Sequence, residues 1–305
     1  MITIFHRPHG SKRKVQIMGK KEKEPRPYRG VIDEIREQQH KTKDMSFKGK
    51  WQYFWYYYKV HTFVAIGVIL LAGTLIHDVL SAKDNAFYGI MLNAIGLSSE
   101  SMESVFSEYA GIDLDTYDCY IDTTSTLSYS TPSEYDMATI QKMMAQVQAR
   151  DLDAVVFDSQ VFNNYANTEM FADLTTVLTP EELEKHKDRF YYIDYAPIAR
   201  ANEDSDYEND AMISADEGAA ATLEDILAEA ESHRHPETME QPIPVGIFME
   251  ESPFIQKTGS YGQAQPVFGI VVNTERLETA RQYLAFLWDE KVDFQSLMNN
   301  NLFAE

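Results

Sequence analysis

Lys257-Thr258-Gly259 matches one element of the serine enzymes that recognise penicillin. That chemistry also needs a Ser-x-x-Lys nucleophile, and the chain supplies this spacing only at Ser11 to Lys14, inside a basic tail. His233 and His235 form a His-x-His pair able to touch a metal. They sit in a Pro-flanked acidic stretch with no third fixed ligand, so both are expected to be plain surface histidines. Cys119, the single cysteine, lies inside a strand-like run and is expected to be a small buried thiol. No phosphate-binding Gly-rich loop, His-Glu-x-x-His or Gly-x-Ser-x-Gly is present. No Asp-x-Asp-x-Asp-Gly calcium loop accompanies the many acids, which therefore read as a solubilising surface. The sequence predicts neither an enzyme nor a cofactor.

What remains is a set of polar residues directly after apolar runs. They are Asn93, then Thr123 and Thr124, then Asp158 and Ser159, then Glu250, Glu251 and Ser252. In α/β sheets, ligands gather beyond the carboxyl ends of strands, where helix N-termini present backbone N–H groups. Residues of these types serve equally well as helix caps and loop formers, Asp158 and Ser159 above all.

The elements that must position them come from the hydrophobic pattern. Strands are predicted at Ala86–Leu92, Tyr117–Thr123, Leu152–Phe157, Tyr191–Tyr195, Pro244–Met249 and Pro266–Val272. Helices are predicted at Ser98–Tyr109, behind a capping box at Thr131-Pro132-Ser133-Glu134, behind a second start at Thr179-Pro180-Glu181-Glu182, and after Asn273 as a cap. Met137, Ile140, Met144 and Val147 form one apolar stripe, as do Leu277, Ala280, Leu284 and Leu287. Strand, helix, strand, helix, strand predicts an α/β fold with a mainly parallel sheet. Residues 201–241 are rich in acids and read as an inserted flexible or partly helical loop.

Charge divides the chain. Residues 1–59 hold 15 Lys+Arg and 6 Asp+Glu, and residues 60–305 hold 12 and 42. At the border, Thr62 to Ile76 carries no charge, and seven of the eight residues from Trp51 to Tyr58 are aromatic. A helix from residue 60 to 80 would be about 31 Å long, close to the thickness of a bilayer's hydrocarbon core. An aromatic belt beside such a run marks headgroup depth. The division reads as a basic cytoplasmic tail over 1–50, with a short helix through Val31–Gln38, then belt and span over 51–82, then an outside domain over 84–305. Lys48, Lys50 and Lys59 precede the span and Lys83 alone follows it, so the N-terminus is expected in the cytoplasm. The long leader favours an uncleaved signal anchor over a cleaved signal peptide. Met18 is an alternative translation start. The lipid bilayer is one expected partner. Nucleic acid is not, since no module would orient it.

The stretches LDAVVFDSQVFNNYA at 152–166, FADLTTVLTPEEL at 171–183, PIPVGIFMEESPFI at 242–255 and PVFGIVVNTERLETARQYLAFL at 266–287 resemble extracytoplasmic solute-binding proteins of the two-lobed, periplasmic-binding type. The resemblance spans about residues 86–290. It implies a periplasmic-binding-like α/β domain, tethered here by a helix in place of a lipidated cysteine, with one lobe reduced. It implies a non-enzymatic module on the cell membrane that binds an unknown small solute for a membrane transporter or a sensor. The alternative is a structural or regulatory protein whose degenerate binding fold contacts another envelope protein. The anchored layout fits a bacterium with one membrane.

Overall fold

The computed structural model describes residues 36, 37, 40, 46–81, 83–128, 133–204 and 222–298. Ser11, Lys14 and Met18, most of the expected helix through Val31–Gln38, and the centre of the acidic insert lie outside them. The chain divides into two units, residues 1–81 and 82–305.

In the first unit, α1 runs as one helix over Phe47–Ser81. It joins the aromatic segment to the apolar run without a break, because neither Gly67 nor Gly73 meets a neighbour or a proline that would interrupt it. It is long and apolar enough to cross a membrane, with a mean hydropathy of 2.0 over its most apolar window.

The second unit is a mixed α/β domain. Its strands are β1 (Asp84–Met91), β2 (Tyr117–Asp122), β3 (Ala154–Asp158), β4 (Phe190–Asp194), β5 (Pro242–Phe248) and β6 (Pro266–Ile270). The helices are α2 (Ser99–Ala110), α3 (Glu134–Ala149), α4 (Ser159–Ala166), α5 (Leu174–Val177), α6 (Pro180–His186), α7 (Tyr195–Asp204), α8 (Leu223–Ser232), α9 (Pro253–Thr258) and α10 (Leu277–Leu287). Short 3-10 turns follow α6, α8 and α10. All six predicted strands are present within two residues at each boundary.

The strands form one sheet in the order β2-β1-β3-β6-β5-β4. β1 pairs in parallel with β2 and β3, whereas β3–β6, β6–β5 and β5–β4 are antiparallel. The expected mainly parallel sheet is therefore corrected to a mixed one. The βαβ reasoning holds for the first three strands. It fails for the last three because a strand buried on both faces has the same apolar composition in either direction.

Both faces of the sheet are covered. Phe87, Met91, Ala154, Val156, Phe268 and Ile270 face a core built with α2, α9 and α10, including Phe106, Tyr283 and Phe286. Ile90, Leu92, Val155, Phe157 and Val267 face the other core, with Met143 of α3 and Phe162 of α4. The period of two along each strand thus sorts alternate residues into two apolar layers.

Three further expectations change. The α3 cap is Ser133 with Asp136, not Thr131 with Glu134: Ser133 Oγ accepts from Asp136 N at 3.2 Å, and Asp136 accepts in return from Ser133 N at 2.7 Å. Asn273 does not cap α10, whose first residue is Leu277; its amide donates to Val147 O at 2.7 Å instead. Within the acidic insert, α8 is a regular helix with its own Thr222–Asp225 capping box, so this part is ordered by local chemistry. The Thr179–Glu182 box at α6 stands as read, with Pro180 in the first turn.

Candidate functional site

The register places all eight candidate residues at one edge of the sheet. Ile90 pairs with Asp122, Met91 with Val156, Asp158 with Pro266, and Phe248 with Val267. The carboxyl ends of β2, β1, β3 and β5 therefore share this edge with the amino ends of β6 and β4.

Two hydrogen-bonded groups occupy it. In the first, Asn93 turns the chain after β1 in the left-handed conformation, with φ of 61°. Its N–H donates to Ser125 O at 3.1 Å, its Oδ1 accepts from Leu127 N at 2.9 Å, and its Nδ2 donates to Asp158 Oδ2 at 2.9 Å. The other oxygen of Asp158 caps α4 by accepting from Val161 N at 3.0 Å. Ser159 is buried as the first residue of that helix. Thr123 is buried, and its hydroxyl lies 2.9 Å from Ser99 Oγ. Thr124 donates to Asp122 Oδ1 through its N–H at 2.9 Å and its hydroxyl at 3.0 Å.

Asp122 is the hub that sequence reasoning missed. It also accepts from Ser125 Oγ at 2.6 Å and Lys142 Nζ at 2.8 Å. Burial alone would raise its carboxyl, but Lys142, Ser125 and Thr124 overcome this and hold it well below the usual carboxylate range. The Asp-Thr-Thr-Ser run was the available signal, since Asp before hydroxyl residues favours such a turn.

The second group follows β5. Glu250 accepts from Arg234 Nη2 at 2.6 Å, while the Arg234 guanidinium lies 3.5 Å over the Phe248 ring. Burial pushes the Glu250 carboxyl up despite this partner. Glu251 accepts from Arg189 Nε at 2.7 Å, and Arg189 lies 5.1 Å from the Trp288 ring. Ser252 is fully buried, and its hydroxyl caps α9 by accepting from Ile255 N at 3.2 Å. Between the two groups, the buried amide oxygens of Gln160 and Gln265 have no partner among the described residues. They lie within two residues of the Asp158–Pro266 pair and are acceptors left unmet inside the fold.

The remaining chemistry-bearing residues have structural uses. Lys257 donates to Glu290 O at 2.8 Å and Val292 O at 3.0 Å, and Gly259 closes α9 with φ of 61°. The Lys-Thr-Gly match is thus a helix end. His233 is not a plain surface histidine: its ring stacks on Tyr191 at 4.2 Å, and its Nδ1 lies 2.7 Å from Tyr192 O. His235 is exposed beside Glu231 and Glu237. Cys119 is buried, and burial raises its thiol to about 11, far from nucleophilic use at neutral pH. Among the described residues, no three His, Cys, Asp or Glu side chains come together as a metal site.

Two predictions arise at this edge. Asn93→Ala leaves Asp158 and Leu127 N–H short of a partner and puts in the left-handed conformation a residue that tolerates it less well than asparagine. A loss of about 2–4 kcal/mol is expected, and Asn93→Gly should lose about 1 kcal/mol less. Chemical denaturation of the two variants tests the order; equal losses would remove the backbone argument. The second concerns His186, which is buried against Trp288 with ring centroids 4.9 Å apart. Burial, then Lys185 and Arg189, lower its pKa to about 4. An unfolded histidine takes its proton near pH 6.5. This contribution is therefore fully present above about pH 6.5 and is lost as pH falls toward 4, amounting to about 3 kcal/mol. His186→Phe should flatten the stability profile across that window; an unchanged slope would show that other groups carry it.

Comparisons with family models, with curated proteins and with solved structures returned no match.

Proposed function

We propose that the chain is a single-pass membrane protein, N-terminus in the cytoplasm, whose 84–305 domain is a non-enzymatic recognition module for another membrane or envelope protein. The observation that carries this reading is the condition of the sheet edge. A two-lobed solute-binding protein closes two sheets over its ligand, and the described residues build one sheet. Asn93, Thr123, Thr124, Asp158 and Ser252 direct their polar atoms to neighbours in the chain, and Glu250 and Glu251 are held by Arg234 and Arg189. A small solute would have to displace these bonds without regaining them.

The membrane placement is supported by α1, by the aromatic belt before its apolar run, and by the basic residues on its N-terminal side. The solute-binding reading keeps one favourable observation, the pair of unmatched acceptors on Gln160 and Gln265.

Two measurements on the full chain separate the readings. Photo-crosslinkers placed at Thr124 and Glu251 should capture one discrete partner in native membranes. A thermal-shift screen against sugars, amino acids, peptides and nucleosides should leave the melt unmoved. A saturable shift with one solute class would overturn the partner reading, because a ligand at 100 times its Kd stabilises by about 2.7 kcal/mol.

A further inference from the structure

We propose that Glu103 closes the free edge of the sheet against strand addition by a second copy of the chain. Its carboxylate occupies a main-chain N–H of β2 that each copy would have to contribute to such a pairing.

β2 ends the sheet and pairs with β1 alone among the described residues. An end strand presents a row of outward N–H and C=O groups, which invites another strand. Here α2 supplies side-chain acceptors to that row. Ile121 N–H donates to Glu103 Oε1 at 3.1 Å, and Thr123 N–H donates to Ser99 Oγ at 3.1 Å. The spacing explains the match. Residues four apart on a helix lie about 6 Å apart along it, and residues two apart on a strand about 6.6 Å. Because α2 runs opposite to β2, Ser99 meets Thr123 and Glu103 meets Ile121.

The other end of the sheet is closed differently. Beside β4, Tyr192 N–H donates to His233 O at 2.9 Å, so the main chain itself covers that strand. A main-chain cover does not swing aside, whereas a glutamate side chain can. Removing the Glu103 acceptor would therefore open β2 only, and the complement left for it is β2 of a second copy. Antiparallel pairing about a two-fold axis sets Cys119 opposite Ile121 of the second copy, and Tyr120 opposite Tyr120. Cys119 and Ile121 then exchange both main-chain bonds, which uses the Ile121 N–H of each copy. The two-fold consumes both edges, so association stops at a dimer. Tyr120 is exposed and free to form the central cross-strand pair. Asp118 would face Asp122, whose charge Lys142 already meets at 2.8 Å.

The placement of Glu103 is not one that packing favours. Burial pushes its carboxyl up, the Ile121 N–H opposes this, and Glu100 and Asp122 add to the rise. An acid is kept where an apolar residue would be easier to bury, and its bond to the strand edge is what it does there.

The test uses full chains in detergent carrying Cys119→Ala and Tyr120→Cys, with residue 103 native or changed by Glu103→Gln or Glu103→Met. Opposed residues at position 120 would have α-carbons about 4.5 Å apart, within reach of a disulfide. Glutamine keeps an acceptor without the charge; methionine keeps the length and offers no such acceptor. After mild oxidation, the chain concentration giving half disulfide-linked dimer should be about thirty-fold lower for Glu103→Met, from two N–H groups made available per dimer. Glu103→Gln should match the native residue.

Equal crosslinking in all three chains overturns the proposal. A rise for Glu103→Gln as large as for Glu103→Met also overturns it, because charge and not the occupied N–H would then hold copies apart. Glu103→Ala is tested beside Glu103→Met and should crosslink as it does. Loss of the near-UV circular dichroism spectrum by both would make Glu103 a requirement of the fold and overturn the proposal as well.

Discussion

Replacing Asp153 with alanine is expected to lower the melting temperature of the domain by about 6–20 °C, a loss of about 3–5 kcal/mol. Asp153 is fully buried at the start of β3. Its Oδ2 accepts from Arg276 Nε at 2.8 Å and from Tyr88 N at 2.9 Å, and its Oδ1 accepts from the Thr274 hydroxyl. Arg276 continues to Asp151 O at 2.7 Å. One carboxylate thus ties β1 and β3 to the segment that leads into α10. Burial pushes its carboxyl above the usual range even with Arg276 and Thr274 in place. The ion pair is therefore no net source of stability; its loss is costly because of what stays behind. Alanine takes the acceptor from the Thr274 hydroxyl and the Tyr88 N–H and the counter-charge from the half-buried Arg276 guanidinium. Converting both partners to apolar residues, Asp153→Leu with Arg276→Met, should cost less than Asp153→Ala alone. Near-UV circular dichroism of the full chain in detergent reads both melts. A double variant as unstable as the single one would refute the argument from stranded groups.

Asp153 also shows how far the sequence could be read. Asp153 falls inside the run read as the strand Leu152–Phe157, and nothing local to it indicates Arg276 or Thr274, more than a hundred positions away. The strands were legible because AVVF and PVFGI carry their burial in composition. The parallel trio was legible because a helical pattern separates each strand from the next. The direction of β4, β5 and β6 was not, since burial on both faces erases the alternation that would distinguish an exposed face. At α3, Thr131-Pro132-Ser133-Glu134 and Ser133-Glu134-Tyr135-Asp136 are overlapping boxes. Asp136 decides between them because it also accepts from Ser128 N at 2.9 Å, a contact no four-residue motif contains. The location of Asn93, Thr123, Asp158 and Ser252 at one edge follows from strand order. The Asn93–Asp158 bond and the Arg234–Glu250 pair depend on loops brought together by the finished sheet. The same holds for His233, whose place on Tyr191 is set by the return of the chain after α8.

Gly246→Ala and Phe162→Ala are expected to be nearly as disruptive, and for a shared reason. Phe162 projects from α4 onto two glycines of neighbouring strands. A β-carbon at Gly246 would stand 2.6 Å from Phe162 Cζ and 2.7 Å from Val267 Cγ1, and one at Gly269 would stand 2.8 Å from Phe162 Cε2. The ring cannot swing aside. It stacks on Phe171 with centroids 4.2 Å apart and planes at 7°, and Tyr191 meets it edge-on at 4.9 Å. Overpacking at Gly246 should cost about 1–3 kcal/mol, and the cavity left by Phe162→Ala about 3–5 kcal/mol. The slot gives a sharper test than either loss. Phe162→Leu removes the ring edge that the new methyl would strike, so Gly246→Ala should cost less in that background, with a coupling of about 0.5–3 kcal/mol. Strict additivity would mean that the methyl is accommodated by movement of β5 instead. The consequence reaches the sheet edge, because Phe162 sits one turn after Asp158. When the ring loses its slot, the first turn of α4 loses its seat, and the Asn93–Asp158 bond at the candidate site should open more often. Faster hydrogen exchange at Val161 N–H, which Asp158 caps, would report it.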